Sequence, residues 1–428
     1  MESRTDLSRQ RKNILFVTQF FYPDLQATSQ LFLELCEDLA KEFKIRVICG
    51  KPLIRLEGEG QKVAVKRREI CNGVDITRIF YICKPDRRTN FCRGVNHVTF
   101  TVSAFLHLLF VRKPDIFIFT TDNPLNFIYA ILFRKTPKIY LCQDLYLEQG
   151  LRVGVFTKGK LLTRLIGFFQ RAPLRYADKI IVIGVKMKKY LEEIIKVPSS
   201  KIEVIYNWAD TDKIIPGDQN NPFSRKYGLV DKFVVMHSGR IGVTQDLGLL
   251  LEAAQYFSDV PDIKFVIIGE GAKKDELLDL AKEKKVENVL FLPFQPQEIF
   301  KHALVSASLQ VILLKRDLLH CLVPSRLYTA MASARPLAIS TQEGSEVYDI
   351  VTRAHCGIPL ELGDLEELKS TIYKLYNERD QIRVLGNKGR ECVTKHFSRP
   401  LMTDKYKRII REMLNSKNNS RERSIKDA

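Results

Sequence analysis

Residues 321–347 read CLVPSRLYTAMASARPLAISTQEGSEV, and the organisation of the chain is legible from them. Pro324 and Ser325 stand just ahead of Leu327, Tyr328, Met331 and Ala332, an apolar stripe at helical spacing, so Ser325 is the expected N-cap. Pro336 ends that helix, Leu337 to Ile339 has the pattern of a short buried strand, and Glu343-Gly344-Ser345-Glu346 turns the chain into a further helix. A helix that starts in a loop between two strands aims unpaired N–H groups and the positive end of its dipole at whatever lies there, which suits a phosphate. The same pattern also fits a capped core helix of any α/β domain. The rest of the chain has to decide between them.

A chain of 428 residues is too long for one hydrophobic core, so two domains are expected. Hydrophobic content of 45% and charged content of 28% are those of a globular protein. No run of about twenty apolar residues occurs, which excludes a membrane-spanning helix. The start, MESRTDLSRQRKN, lacks the apolar core of a signal peptide, and nine cysteines without a C-x-x-C pair fit free thiols better than a disulfide frame or zinc site. A cytoplasmic protein is the expectation. The net charge of +18 is unevenly distributed: residues 1–200 carry 34 Lys and Arg against 19 Asp and Glu, while the remainder is nearly balanced. Such asymmetry points to a surface in the first half that meets something anionic, either lipid headgroups or nucleic acid.

The first half alternates strand and helix patterns. Strands are expected at Asn13–Thr18, Ile45–Cys49, Ile76–Tyr81, Asp115–Thr120, Lys138–Cys142, Lys179–Ile183 and Ile202–Tyr206, with an amphipathic helix over Thr28–Phe43. Runs rich in Ile, Val and Phe, separated by helix-length segments, read as a parallel sheet covered on both faces. The pattern pauses over residues 207–222, then resumes with strands at Phe233–His237, Ile263–Ile268, Val289–Leu292, Leu309–Leu314 and Leu337–Ile339. This gives a first doubly wound domain over 1–206 and a second over 207–398. A last helix over 399–414 is placed to cross back to the first domain, and residues 415–428 form a polar tail expected to be disordered.

The segments FVTQFFYPD (16–24), YLCQDLY (140–146), IYNWAD (205–210), HSGRIGVTQDL (237–247), VIIGEGAKKDEL (266–277), FLPFQP (291–296) and VPSRLYTAMASARPLAIS (323–340) occur in an order and spacing that resemble one family. The chain resembles the retaining family 4 glycosyltransferases of GT-B fold, in particular those that assemble bacterial exopolysaccharides of the colanic acid type. The resemblance implies two Rossmann-like domains facing across a cleft, the first binding acceptor and the second a nucleotide sugar. It implies a hexosyltransferase-type reaction from a UDP- or GDP-linked sugar, with retention, without a metal or other cofactor, in cell-surface polysaccharide or lipopolysaccharide assembly.

Fixed cations and helix N-termini would then hold the diphosphate. By the resemblance Arg240 is the diphosphate-binding arginine, and Gln245 stands where the family usually has lysine. Arg326, in the motif at 323–326, is placed to restore that charge, beside Pro324 and Ser325. Backbone of Gly269, Gly271, Pro293 and Phe294 is implied at the nucleobase, although such glycines also occur as plain turns. The family's glutamate pair maps to Cys321 and Thr329, neither acidic; Thr329 retains a hydroxyl for the ribose. Glu346, with Glu343 nearby, maps to the loop facing the donor, and each equally fits a helix N-terminal carboxylate. On the first domain Gln143 stands in the family's histidine position and Asp144 follows, placed to orient the acceptor or stabilise charge at C1, or else a structural strand-end carboxylate. Small residues Ala27-Thr28-Ser29 replace a glycine-rich turn, with Thr28 or Ser29 available as a cap. Asp210-Thr-Asp212 lies in the linker and is not read as a metal motif.

The acceptor is expected to be a lipid-linked saccharide. Residues 151–200 hold 11 basic against 3 acidic side chains. Lys158, Lys160, Arg164 and Arg171 are interleaved there with Leu161, Leu162, Leu165, Ile166, Phe168 and Phe169, the pattern of a basic amphipathic helix resting on an anionic membrane. Lys158, Lys160, Arg164, Phe168 and Phe169 are the expected docking residues, joined by the apolar stretch Val98–Val111, on the inner face of the cytoplasmic membrane. A core helix with a solvated basic edge gives the same pattern. A catalytically weakened paralogue or scaffold is the alternative, since Cys321, Thr329, Gln143 and Gln245 depart from the family; a sugar-nucleotide epimerase of the same fold fits the motifs less well. Nucleic acid is suggested by charge alone, without a reading motif, and is not expected as a partner.

Overall fold

The computed structural model describes residues 11–24, 27–52, 66–82, 90–152, 161–315 and 323–426. The chain divides into two compact units, one made of residues up to 147, 158–206 and 400 onward, the other of 148–157 and 207–399. The first is built on eight strands, β1 (Asn13–Val17), β2 (Lys44–Gly50), β3 (Arg68–Cys71), β4 (Val74–Ile79), β5 (Ile116–Thr120), β6 (Lys138–Cys142), β7 (Lys179–Val182) and β8 (Ile202–Val204). They lie in the order β3-β4-β2-β1-β5-β6-β7-β8. Ile14 is aligned with Ile45 on one side and Ile116 on the other, and every pairing except β3–β4 is parallel. The runs ILFV, IFIFT and IYLC are buried throughout because helices cover both faces, so no position alternates to polar.

The antiparallel edge strand β3 was not expected from the sequence. Its residues Arg68-Glu-Ile-Cys71 are largely solvent-facing and show no apolar run. The available signal was the turn: Asn72 and Gly73 both have positive φ (48° and 83°), the two-residue hairpin geometry that an Asn-Gly pair favours.

The second unit has six parallel strands, β9 (Phe233–Ser238), β10 (Ile263–Ile268), β11 (Val289–Leu292), β12 (Leu309–Leu313), β13 (Leu337–Ser340) and β14 (Gly357–Leu360), ordered β11-β10-β9-β12-β13-β14. Alternate residues feed two cores. Phe233 and Val235 join Phe265, Ile267, Val311 and the helix Leu247–Tyr256, whereas Val234 and Met236 join Val266, Ile268 and Phe223 on the opposite face. β14 was also unexpected; Pro359 within it is tolerated because the strand forms the sheet edge. The unit is closed where Ala209 pairs with Ser398 and Arg399 Nη1 meets Asp210 Oδ2 at 3.0 Å. Asp210 also takes the backbone N–H groups of Asp212 and Lys213, so this part of the D-x-D stretch caps a turn.

The final helix, Arg399–Lys426, belongs to the first unit, where it buries Met402, Tyr406, Ile409, Ile410 and Leu414. Thr403 Oγ1 donates to Asp38 Oδ2 (3.2 Å), and the Arg411 fork meets both oxygens of Glu42. The helix runs on to Lys426, where a disordered tail was expected from 415; that segment has no Gly or Pro to break a helix.

Candidate functional site

Each sheet reverses its direction of winding once, between β1 and β5 in the first unit and between β9 and β12 in the second. The crevice beyond the carboxyl ends of strands at such a switch is where open α/β sheets hold ligands. Of the residues expected from the sequence, Gln143, Asp144, Arg240, Gln245, Gly269, Gly271, Pro293 and Phe294 follow the carboxyl ends of strands.

In the second unit β9 ends at His237-Ser238, followed by Gly239 and the exposed Arg240. The turn after β10 packs on the turn after β9 backbone to backbone. Gly239 N donates to Ile268 O (2.8 Å) and Ile241 N to Glu270 O (3.0 Å). A Cβ on Gly269 would lie 1.8 Å from Gly239 O and one on Gly271 2.0 Å from Ile241 O. The G-x-G is therefore a close-approach device between two loops. After β11, Pro293 is exposed, its carbonyl accepting from Gln295 Nε2 (2.8 Å), and Phe294 is half-buried.

Arg326 comes to the same switch point from the helix Arg326–Ala332. Its Nη1 donates to His237 Nε2 (3.1 Å) and its Nη2 to Gln245 Oε1. Gln245 is pinned by its bridge to Leu314, just past β12. A guanidinium can only donate, so Nε2 must accept and the imidazole is neutral. Burial and then the neighbouring Arg326 charge hold the His237 pKa well below the ordinary 6.5. Desolvation pushes the Arg326 pKa down to about 9. Among the described residues no carboxylate pairs with Arg326, and its Nε is buried without a hydrogen-bond partner. The structure thus brings Arg240, Gln245 and Arg326 to one end of one sheet. A desolvated cation resting on two neutral groups is short of an anion.

Two sequence expectations need correction here. Ser325 precedes the helix but has helical dihedrals and no side-chain cap bond; the N–H groups of Leu327 and Tyr328 are taken by Pro324 O and Ser325 O in a tight first turn. That leaves fewer open amides than an Oγ-capped start would. Thr28 and Ser29 lie inside the helix Ala27–Ala40 and do not precede it, and the Ser29 hydroxyl is buried without a partner among the described residues. Thr329 donates its hydroxyl to Arg326 O (3.1 Å), and its oxygen keeps acceptor capacity. Cys321 lies outside the described residues. Glu346 is buried in the first turn of its helix, where Ser345 Oγ caps Tyr348 N (3.1 Å), while Glu343 is exposed.

At the carboxyl ends of the first sheet, sequence reasoning missed a carboxylate. Asp122 follows β5 and accepts from Thr18 Oγ1 (2.6 Å), Gln19 N (2.6 Å), Phe20 N (2.9 Å), Asn126 Nδ2 (3.0 Å) and Thr120 Oγ1. Burial pushes its pKa up; the hydroxyl and amide donors pull it down. It fixes the turn after β1, in which the wholly buried Gln19 donates to Asn96 O (3.4 Å) and so presents Oε1 to His97 Nδ1 (2.7 Å). The signal was the Thr120-Thr-Asp-Asn123 cluster at a strand end. Gln143, just past β6, is buried with Oε1 unpaired among the described residues, its N–H donating to Thr121 Oγ1 (2.9 Å); Asp144 beside it is half-buried.

On the helix Leu161–Tyr176, Gly167, Gln170, Ala172 and Leu174 face the core, and Arg164, Leu165, Phe168, Arg171 and Arg175 face outward. Phe169 is turned inward against Phe127 (centroids 6.0 Å apart), which removes it from the expected docking face. Lys158 and Lys160 lie outside the described residues. The helix Asn90–Leu108 leaves Val98, Val102 and Leu106 more than half exposed in a row at four-residue spacing. Among the described residues no helix is long and apolar enough to cross a membrane.

Comparison with known proteins agrees across both units. Residues 29–213 match the family model Glycosyltransferase Family 4, and residues 220–392 match Glycosyl transferases group 1. The chain is 25% identical over 291 residues to WbjE of Pseudomonas aeruginosa, a probable glycosyltransferase, covering 67% of this chain and 70% of that protein. It is 24% identical over 340 residues to WcaI of Escherichia coli strain K12, a putative colanic acid biosynthesis glycosyl transferase, covering 76% and 83%. Among solved structures, Anabaena Alr3699/HepE in complex with UDP-glucose superimposes with a TM-score of 0.70 at 13% identity, over 94% of this chain and 100% of that one. Two family models spanning residue 29 to residue 392 and relatives along most of the chain give one answer: this protein is a GT-B glycosyltransferase of family 4.

Proposed function

We propose that the protein transfers a sugar from a nucleoside-diphosphate sugar to a lipid-linked saccharide, with retention and without a metal, in the assembly of a cell-surface polysaccharide. The observation that carries the donor half is Arg326: a half-buried guanidinium with no carboxylate partner among the described residues, held by His237 and Gln245 at the switch point beside Arg240. A diphosphate supplies the missing charge, and two guanidinium forks provide the compensation that a divalent ion gives elsewhere. Arg326 so takes over the role left vacant by the neutral Gln245. The acceptor half rests on the first unit, where Gln143 and Asp144 lie at the carboxyl end of β6. In a retaining transfer without an enzymic nucleophile, the leaving phosphate takes the acceptor's proton, and Asp144 needs only to orient the hydroxyl or stabilise positive charge at C1. The colanic acid relative supports a polysaccharide product, and the outward basic and apolar residues of Leu161–Tyr176 support a peripheral place on an anionic membrane.

A thermal-shift panel of UDP, GDP, ADP and CMP tests the donor class, and one of the nucleoside diphosphates should raise the melting temperature. Arg240→Ala should abolish that shift, and Arg326→Gln should weaken nucleotide binding by about ten- to a hundredfold, the worth of one charge-assisted hydrogen-bonding group. Retention of full affinity by Arg326→Gln would place the diphosphate elsewhere. Because Cys321 and Thr329 offer no carboxylate, a catalytically weakened glycosyltransferase is the second reading; product formation from the donor that shifts the melt, with an acceptor saccharide, separates the two.

A further inference from the structure

The first unit has a groove of about 780 Å³ that runs from Leu147 along the helix Leu161–Tyr176 to the turn at 195–201. Arg164, Arg171 and Arg175 line one wall, spaced seven and four residues apart on one helix face, with Phe168 between them; Lys196 and Lys201 line the other. Among the described residues no Asp or Glu lines it. The three acidic residues of 151–200 are engaged elsewhere, Asp178 with Lys138, Glu192 with Lys188 and Glu193 with Lys189. Among the described residues Arg164, Arg171, Arg175 and Lys196 have no carboxylate partner. Lys201 Nζ donates to Ala177 O (3.0 Å), but no carboxylate among the described residues offsets the five cations, which repel one another around one groove unless an anion visits.

The surroundings decide which anion. Leu147, Leu174, Ile195 and Val197 belong to the apolar part of the lining, which also holds Phe168 (59% exposed), and Leu165 and Ile194 stand exposed nearby at 45% and 62%. Tyr176 is already stacked on Phe127 (6.3 Å, 7°), so it is not a free platform for a nucleobase. Apolar side chains rimming a ring of cations match a phosphate at a lipid–water boundary. Arg175, Lys196 and Lys201 precede β7 and β8 and so lie toward their amino ends, whereas Gln143 and Asp144 lie at a carboxyl end.

We propose that this groove is a headgroup pocket for a membrane lipid with a doubly charged phosphate monoester. The proposal rests on the peripheral membrane reading above and goes past it, replacing a general basic surface by a built site. Flotation with phosphatidylcholine vesicles carrying phosphatidic acid, or phosphatidylserine adjusted to equal surface charge, tests it. The full-length protein should prefer phosphatidic acid. Arg171→Gln with Lys196→Gln should weaken that binding roughly thirtyfold, the worth of two cations at a membrane surface. Lys188→Gln with Lys189→Gln removes the same formal charge from the neighbouring helix and should leave it largely unchanged, and both double variants should keep the nucleotide-induced thermal shift. Equal losses in the two double variants, equal affinity for the two lipids, competition by free inorganic phosphate at matching concentration, or duplex DNA binding that depends on Arg171 and Lys196 would each overturn the pocket. Failure of the wild-type protein to float with any anionic vesicle would instead overturn the membrane reading itself.

Discussion

At the scale of single residues, the site of the second unit is a problem in buried charge. His237 is kept neutral by burial and by Arg326. The sign of its contribution to stability follows from linkage. The unfolded chain binds a proton below the ordinary value of 6.5 while the folded chain does not, so stability is fully present above that pH and declines as the pH falls. His237→Gln, which retains an acceptor for Arg326, should flatten the pH dependence of denaturant melts between about pH 5 and 6.5 by up to ~1.4 kcal/mol per pH unit. An unchanged slope would mean that His237 already titrates in the folded state. Gly269 poses a steric problem. With its missing Cβ 1.8 Å from Gly239 O, Gly269→Ala must push two backbones apart. It should destabilise the protein by about 2–4 kcal/mol and weaken nucleotide binding, read from the melting temperature and the UDP or GDP shift. A neutral effect would mean that the two turns are not packed as described.

At the scale of elements, the helix Arg399–Lys426 shows which contacts matter. Tyr406 and Ile410 are buried at 2% and 0%, whereas the Arg411–Glu42 pair is solvent-exposed. Ile410→Ala should cost about 2–5 kcal/mol in chemical denaturation, and Arg411→Ala less than about 1 kcal/mol. The reverse order would make the helix an electrostatic clamp instead of part of the core. Glu42 points the same way: the Arg411 hydrogen bond lowers its pKa, so the pair's small contribution is present at neutral pH and lost on acidification. Strands were legible from sequence wherever both faces are covered, because burial forces a continuous apolar run, as at Ile263–Ile268. They were illegible at the edges, where β3 is polar and β14 contains proline, since an edge strand needs neither full burial nor every N–H.

At the scale of the whole molecule, two units with separate cores carry unequal charge, and ligands should register in one of them. Hydrogen exchange with saturating UDP or GDP should show protection at 237–246, 269–273 and 323–329 and little change across β1 to β5; protection centred on the first sheet would reverse the assignment of the donor. By itself the sequence determined the two doubly wound sheets, the basic first half and the family, because apolar periodicity, composition and motif order are properties of the chain read along its length. It also supplied Arg240, Gln245 and Arg326 as candidates. Only the tertiary structure decided that Arg326 donates to Gln245 and His237 across 81 and 89 residues of chain, that the G-x-G is a backbone contact, that Asp122 holds the turn after β1, and that cations on a helix and a distant turn line one groove. Those facts depend on which strand ends are neighbours, and adjacency in a sheet ordered 11-10-9-12-13-14 is set by packing, not by position in the chain.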